Sequence, residues 1–168
     1  YCHLAGIIHR DVTPSNVLIQ NGVLKLTDFG ISRAAFQMEE QHQVIRGKYA
    51  YMAPEQVAGA ILDGRTDLFA LTIVMYEMLT GRRLFKAKTR NETLMRVRSA
   101  EVPSPKVFRP EISQDLENFL FKGLAKERED RFPTAGRMLE ALSKVMVEEN
   151  HRVTNNDLAT YIRRVSDQ

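Results

Sequence analysis

Two short apolar runs near the start of the chain are separated by a turn signal. The first run covers residues 17–19, and the second covers residues 23–26, where Lys25 lies between two leucines. Asn21-Gly22 between the runs is a strong local signal for a tight hairpin. The alternation in the second run predicts a half-buried strand. The pattern therefore predicts a β-hairpin.

The rest of the chain is dominated by apolar positions with a helical period. Residues 67–80 are apolar on every side and end at Gly81, which predicts a helix in the middle of a domain. Residues 31–52 follow no period, and we predict an exposed loop there. Further helices are predicted at 92–99, after Ser113, after Thr134 and at about 156–165. The predicted fold class is mainly α with a small β-hairpin region.

Composition and charge narrow the class of protein. The 168 residues carry a net charge of +3 with both signs mixed along the chain, which argues against nucleic acid as a partner. The single cysteine, Cys2, excludes an internal disulfide, and neither it nor the four histidines show zinc spacing. The longest apolar stretch, residues 68–76, is too short to cross a bilayer. We therefore expect no membrane segment in this chain and a cytoplasmic location.

Three short motifs occur in a fixed order in the first third of the chain. His9-Arg10-Asp11 is followed by Asn16, Asp28-Phe29-Gly30 comes after the predicted hairpin, and Ala53-Pro54-Glu55 completes the set. Any one triplet alone is a chance match or a surface turn. Together, in this order and spacing, they are a specific combination. On these motifs the chain resembles the C-terminal lobe of a eukaryotic-type serine/threonine protein kinase.

The resemblance implies phosphoryl transfer from ATP to a protein hydroxyl, with Mg²⁺ as the cofactor. It implies that Asp11 accepts the proton of the substrate hydroxyl, and that Asn16 and Asp28 bind Mg²⁺ through hard oxygen atoms. It further implies that Leu18 forms the floor of the adenine pocket and that Thr27 lines this pocket.

Other matching residues hold the fold of such kinases together. By resemblance, His9 packs against Phe29, and Gly30 permits a sharp backbone turn after the metal ligand. Asp67 resembles the aspartate that holds the catalytic loop through its backbone amides. These residues bear on the fold more than on the chemistry.

A second structural pair joins distant parts of the sequence. Arg131 resembles the arginine that forms a buried ion pair with the glutamate of Ala-Pro-Glu, here Glu55. Removal of one partner from such a pair typically costs ~3–5 kcal/mol of stability. The resemblance extends over residues 1–145, the predicted kinase C-lobe, and leaves residues 146–168 as a C-terminal helical extension.

The chain departs from serine/threonine kinases at two positions beside the predicted catalytic aspartate. Thr13 stands where a lysine is usual, and Lys48 stands where a threonine is usual. We predict that Lys48 supplies the charge that neutralises the phosphate and that Thr13 supplies the hydroxyl. The alternative is a damaged site with Lys48 in solvent. The same exchange, together with Asp-Leu-Phe-Ala-Leu at 67–71, resembles bacterial eukaryotic-type kinases, notably those of myxobacteria.

Two further departures concern regulation and packing. Arg10 is typical of kinases activated by loop phosphorylation, yet no serine or threonine lies between Ser32 and Thr66. One hypothesis is that Glu39 or Glu40 pairs with Arg10 in place of a phosphate, and the alternative is a solvated acidic turn. Inside the buried helix, Thr72 replaces a glycine that is usual in the family, so we expect a small local adjustment.

A basic run follows the predicted central helix. Residues 82–98 contain seven basic side chains and one acid, Glu92. Such a run is either a solvated face or a docking surface for an acidic substrate or partner. The sequence alone leaves both interpretations open.

Two functions remain in competition. No glycine-rich phosphate loop or ATP-anchoring lysine strand is found in the chain, so the expected partners are a protein substrate and the missing kinase N-lobe. The chain begins with Tyr1 rather than Met, and we expect a fragment that is inactive alone. Intact Asp11, Asn16 and Asp28 favour a piece of an active kinase. The alternative is a truncated kinase-like scaffold or binding module without catalysis.

Overall fold

The computed structural model describes residues 1–29, 48–149, 154 and 157–160. This part of the chain is mainly helical and contains one two-stranded antiparallel sheet, as the sequence predicted. The chain opens with a 3₁₀ turn over Cys2–Ala5, which ends at Gly6 with a φ of 72°. This left-handed conformation is one that glycine adopts without steric cost.

The sheet is the predicted hairpin. Strand β1 covers Val17–Gln20, strand β2 covers Val23–Leu26, and Leu18 pairs with Lys25. The turn residues Asn21 and Gly22 both have positive φ angles, 51° and 77°, which the tight turn of a twisted hairpin requires. The prediction of a half-buried strand was wrong. All four side chains of β2 are exposed, because no described segment packs over either face.

Within residues 48–149, the structure describes five α-helices. The helices are α1 Pro54–Val57, α2 Gly64–Thr80, α3 Arg90–Ser99, α4 Gln114–Gly123 and α5 Ala135–Glu148. The side chains of Thr89, Ser113 and Thr134 each accept a hydrogen bond from a backbone amide of the first turn, which fixes where α3, α4 and α5 begin. Helix α2 begins three residues before the predicted start, because Asp63 caps it. Residues 157–160 are also helical.

The hydrophobic core is built around helix α2. Its buried side chains pack against α4, α5 and the segment between these two helices. Fully or almost fully buried core residues include Phe69, Ile73, Tyr76, Leu120 and Leu124. The prediction that α2 is buried on every side was partly wrong, because Leu71 and Met78 are 39% and 77% exposed. Among the described helices, none combines the length and apolar character that crossing a membrane requires.

The unusual threonine of α2 is accommodated by a glycine of α4. Thr72 is fully buried, and its hydroxyl donates to the carbonyl oxygen of Leu68 at 2.7 Å. A Cβ atom on Gly123 would meet the Thr72 hydroxyl in overlap and would lie only 2.8 Å from its Cγ2. The extra volume of Thr72 therefore fills the space that Gly123 leaves empty.

Candidate active site

One carboxylate holds the backbone of the loop that follows the first 3₁₀ turn. Asp67, in the first turn of α2, accepts hydrogen bonds from the backbone amides of His9 at 2.8 Å and Arg10 at 2.7 Å. Arg10 has a φ of 68°, a strained conformation for a residue with a side chain. On the other side, the Gln56 amide donates to the Arg10 carbonyl oxygen at 3.1 Å. Tertiary contacts from two helices therefore fix the backbone just before Asp11.

His9 is a structural residue of this loop. Its side chain is buried, and its Nε2 lies 2.8 Å from the carbonyl oxygen of Thr27, which can only accept. Its Nδ1 accepts from the backbone amide of Asp11 at 3.3 Å. These partners select the neutral Nε2–H tautomer. The ring also packs on Phe29 with 4.6 Å between the centroids, so His9 links the Asp11 loop to the end of the hairpin.

Asp11, Asn16 and Lys48 lie together in the structure. The Asn16 side-chain nitrogen donates to the carbonyl oxygen of Asp11 at 2.8 Å and to its carboxylate at 3.0 Å. Lys48 Nζ lies 2.8 Å from the same carboxylate oxygen. The carboxylate is mostly shielded, at 17% exposed, whereas Lys48 is half exposed at 52%. The Asp11 carboxylate is thus held beside the Lys48 ammonium, which is the more solvent-exposed of the two groups.

Lys48 is directed at Asp11, so the alternative with Lys48 in solvent does not describe the structure. Thr13 is buried, and its hydroxyl lies 2.9 Å from the Ser15 hydroxyl. Lys48, from a distant segment, therefore contacts Asp11 directly, whereas Thr13, two residues after Asp11, contacts Ser15. Their roles in phosphate binding stay predictions.

The two candidate cation ligands, Asn16 and Asp28, are linked through Thr27 at the end of β2. Thr27, just after β2, donates from its backbone amide to the Asn16 carbonyl oxygen at 2.9 Å and from its hydroxyl at 3.3 Å. Asp28 follows directly, exposed, with a φ of 60°. Because the Asn16 nitrogen is engaged by Asp11, its amide oxygen is left for a ligand. An amide oxygen and a carboxylate are hard donors that fit Mg²⁺, which commonly takes one or two protein ligands and completes its shell with water and phosphate.

The predicted adenine-pocket residues lie on the exposed hairpin. Leu18 is 53% exposed and Thr27 is partly exposed. Neighbouring apolar side chains of the hairpin and its exit are also open to solvent; they are Ile19, Val23, Leu24, Leu26 and Phe29. The described residues thus present an apolar surface next to the Asp11 cluster.

Glu55 and Arg131 form a buried, bidentate ion pair. The two guanidinium nitrogens of Arg131 donate to the two Glu55 oxygens at 2.7 and 2.8 Å, and the arginine side chain is fully buried. Thr66 donates a further bond to Glu55 at 2.9 Å. Burial alone would raise the pKa of Glu55, but the hydrogen bonds and charge of Arg131 outweigh it and hold this pKa below its ordinary value. The pair joins α1 to the segment before α5.

Sequence reasoning missed two residues that support the loop. His3 Nε2 lies 2.8 Å from the Asp67 carboxylate, and no motif or spacing signals this contact. Gln56 bridges Arg10 and the Ala53 amide. A glutamine at the third position of a helix is one half of a capping box, and the other half is a serine or threonine at the N-cap. Ala53 occupies that N-cap position, so the sequence indicates the role of Gln56 only weakly.

Some predictions lie outside the described residues. Gly30, Glu39 and Glu40 all fall there, so pairing of an acidic residue with Arg10 stays a hypothesis. Within the part of the chain that the structure describes, the buried Nε of Arg10 has no hydrogen-bond partner.

Comparison with known proteins supplies the family. Residues 1–143 match the family model described as protein kinase domain. The chain is 39% identical to the tyrosine-protein kinase MasK of Myxococcus xanthus over 145 residues, which is 85% of this chain and 22% of that protein. It is 36% identical to the serine/threonine-protein kinase PrkC of Bacillus subtilis over 140 residues, which is 82% of this chain and 22% of that protein. It is 37% identical to the serine/threonine-protein kinase Pkn1 of Myxococcus xanthus over 153 residues, 87% of this chain and 22% of that protein.

The matched relatives are bacterial, and the chain spans about a fifth of their length. The family generally uses ATP and Mg²⁺. The motifs around Asp11, Asp28 and Glu55 all lie inside the matched segment. The chain belongs to the protein kinase domain family, with serine/threonine kinases of bacteria among its relatives.

Proposed function

We propose that this chain is the C-terminal lobe of a protein serine/threonine kinase that transfers the γ-phosphate of ATP to a protein hydroxyl. The observation that carries the proposal is the cluster of Asp11, Asn16 and Lys48, in which one carboxylate oxygen is held by an amide and by an ammonium. A scaffold needs none of these three side chains. The family match over residues 1–143 supports the same conclusion.

Each residue has a defined part in the proposed reaction. The Asp11 carboxylate accepts the proton of the substrate hydroxyl and orients its oxygen toward the γ-phosphorus. The new O–P bond forms as the bond from phosphorus to the bridging oxygen of ATP breaks, and ADP leaves. The ammonium of Lys48 neutralises charge on the phosphoryl oxygens, and Thr13 supplies the hydroxyl beside them. Asn16 and Asp28 would hold Mg²⁺, which supplies charge neutralisation between the phosphates when bound.

The geometry explains why the parts must be pre-positioned. Phosphoryl transfer needs little covalent help, so most of the catalysis comes from alignment and electrostatic stabilisation. Asp67 and Gln56 fix the backbone before Asp11, and His9 ties that loop to the residue preceding Asp28. Few side-chain torsions then remain to be ordered when the substrate binds.

The apolar surface of the hairpin supports a missing partner. Leu18 is exposed on one face of the hairpin, and Ile19, Leu24 and Leu26 are exposed on the other. Exposed apolar surface of this kind usually marks a contact site. We infer that adenine and a kinase N-lobe cover it. Because no glycine-rich loop or anchoring lysine strand is found in residues 1–168, transfer is expected from the full-length protein and not from this chain in isolation.

The test is γ-phosphate transfer by the full-length protein, wild type against Asp11→Asn, followed by identification of the phosphorylated amino acid. We expect phosphoserine or phosphothreonine from the wild type, and a fall of at least about a hundredfold in Asp11→Asn. Asp115→Asn, an exposed carboxylate in the first turn of α4, is the matched control and should retain activity. Phosphotyrosine as the product would overturn the serine/threonine assignment.

The same exposed hairpin favours a second candidate, a kinase-like binding module without catalysis. In that case the full-length protein would bind its partner through this surface but would release no ADP. Equal ADP release by wild type and Asp11→Asn would favour the module over the enzyme.

A further inference from the structure

A groove lies between helices α1 and α3, outside the Asp11 cluster. Its volume is about 390 Å³, and it is lined by Val57 from α1 and by Asn91, Leu94, Met95 and Arg98 from α3. Val57 packs partly against the core, whereas Met95 is 71% exposed. The groove therefore has an apolar floor that remains accessible from solvent.

Helix α3 presents two distinct faces. Thr93 and Val97 are buried and face the core. The groove residues at 91, 94, 95 and 98 follow the spacing of a single helix face, turned away from the core face. Leu94 is half-buried because α1 packs against this helix, whereas Met95 is mostly exposed, so part of this face remains available for a ligand.

The ends of this face carry positive charge. Arg98 lines the groove, and Arg90 lies one turn before Leu94 on the adjacent side of the helix. Among the described residues, no carboxylate lies within ion-pair distance of either arginine. The one acid of the basic run, Glu92, accepts a hydrogen bond from the Thr89 amide in the cap of α3. At 1.5 Å of rise per residue, the Cα atoms of the two arginines are roughly 12 Å apart along the helix.

Both walls of the groove are tied to the active-site loop. The guanidinium of Arg90 lies over the Tyr49 ring, 4.6 Å from its centroid, and Tyr49 follows Lys48 in the chain. On the other wall, Gln56 of α1 donates to the Arg10 carbonyl oxygen, next to Asp11. A ligand in the groove would therefore lie alongside the segments that carry the proposed catalytic residues.

We propose that this groove docks an acidic segment of the protein substrate through one apolar side chain flanked by two carboxylates. The apolar side chain fills the groove against Leu94 and Met95, and the carboxylates pair with Arg90 and Arg98. An extended peptide advances roughly 3.3 Å per residue, so the two acids are three or four residues apart with the apolar residue between them. The proposal rests on the proposed kinase function and names the class of substrate segment that the same lobe selects.

The test measures binding of a fluorescein-labelled peptide in which a leucine is flanked by two glutamates at this spacing. The full-length protein is titrated into the peptide, and fluorescence anisotropy gives Kd. Arg98→Glu and Met95→Asp are each expected to raise Kd about tenfold or more, and added salt is expected to weaken wild-type binding. Peptides with glutamine for glutamate, or alanine for leucine, should bind more weakly.

Matched controls come from helix α5. Arg137→Glu and Leu139→Asp introduce the same kinds of change at exposed positions, 69% exposed for the Arg137 side chain and 64% for Leu139. They are expected to leave the Kd of the peptide unchanged. Thermal unfolding of all four variants shows whether each is folded, so that a lost contact is separated from a lost fold.

Several results would overturn the proposal. Unchanged Kd in both groove variants would show that the groove does not bind an acidic apolar segment. The same conclusion would follow if the glutamine peptide bound as tightly as the glutamate peptide. If the wild type bound no peptide but self-associated, and Arg98→Glu abolished this self-association, the groove would bind a second copy of the chain instead. Transfer to a short acceptor peptide without the docking segment tests the kinase function separately. Its absence would refute that function, whereas its presence with no groove effect would refute docking alone.

Discussion

At the scale of single residues, the Glu55–Arg131 pair shows how a buried charge is tolerated. A carboxylate that is almost fully removed from water costs free energy unless a counter-charge and hydrogen bonds satisfy it. Arg131 supplies both through two nitrogens, while its Nε donates to the Ala125 carbonyl oxygen at 2.8 Å. Its guanidinium also lies over the Phe69 ring, 4.5 Å from the centroid. The pair therefore ties α1 to the core.

This pair predicts an acid-dependent loss of stability. The folded-state pKa of Glu55 lies below its ordinary value of 4.5, so its contribution is fully present above 4.5 and is lost as the pH falls through the lowered value. Glu55→Gln is expected to lower the free energy of unfolding at neutral pH by ~3–5 kcal/mol, because Arg131 is left buried and unpaired. Chemical denaturation at a series of pH values should show this difference shrinking as the solution becomes acidic.

The control for that series is Glu140→Gln. Glu140 pairs with Arg137 at the surface, where both side chains are about two-thirds exposed, so its loss should change stability little at any pH. If the difference in free energy of unfolding between wild type and Glu55→Gln stayed constant down to acidic pH, this would contradict the proposed protonation of Glu55.

At the scale of elements, much of the fold was predictable from pattern alone. The hairpin, and the caps of α4 and α5, were confirmed because Asn21-Gly22, Ser113 and Thr134 are local signals that act within a few residues. The predictions of which side chains are buried were wrong in two places. The apolar strand β2 and Met78 both look buried in sequence, yet they are exposed, since burial depends on what packs over an element and not on its own period.

The same limit applies to the candidate site. Motif spacing marked Asp11, Asn16 and Asp28, because the chemistry fixes these residue types in one short stretch. The support of Asp67 by His3 was not predictable, since the contact joins residues far apart in sequence with no shared motif. Contacts of this kind follow from the packing of the first turn against α2.

The contact between α2 and α4 predicts a steric coupling. Gly123→Ala places a methyl group against Thr72, within 2.8 Å of its Cγ2, and should lower the free energy of unfolding by ~1–3 kcal/mol. The cost of this steric overlap is expected to exceed the stabilisation that comes from the higher helix propensity of alanine. Thr72→Gly clears the space, so Gly123→Ala should be less destabilising in that background than in the wild type. Denaturant unfolding of the four proteins measures this coupling.

Gly136→Ala is the matched control in α5, because the added Cβ atom would lie an ordinary 3.7 Å from the Thr134 hydroxyl. That change should be neutral or stabilising by up to about 1 kcal/mol. Additive effects of Thr72→Gly and Gly123→Ala would show that the two positions do not compete for one space.

At the scale of the whole molecule, the fold brings a charge to Asp11 from a distant segment. Lys48 reaches the Asp11 carboxylate at 2.8 Å, although the two residues are far apart in sequence. Thr13, two residues after Asp11, occupies a buried position where the kinases that the chain resembles usually carry lysine. We propose that the site needs one ammonium beside Asp11 and that either segment can supply this charge.

The deciding experiment measures γ-phosphate transfer by the full-length protein in a reciprocal exchange of the two residues. Lys48→Met is expected to lower kcat about a hundredfold, because the charge beside the phosphoryl group is lost. The double variant Thr13→Lys with Lys48→Thr is expected to recover much of that loss. Lys144→Met, on the surface of α5, is the control and should transfer as the wild type does. Unchanged transfer in Lys48→Met would show that the site does not need the Lys48 ammonium.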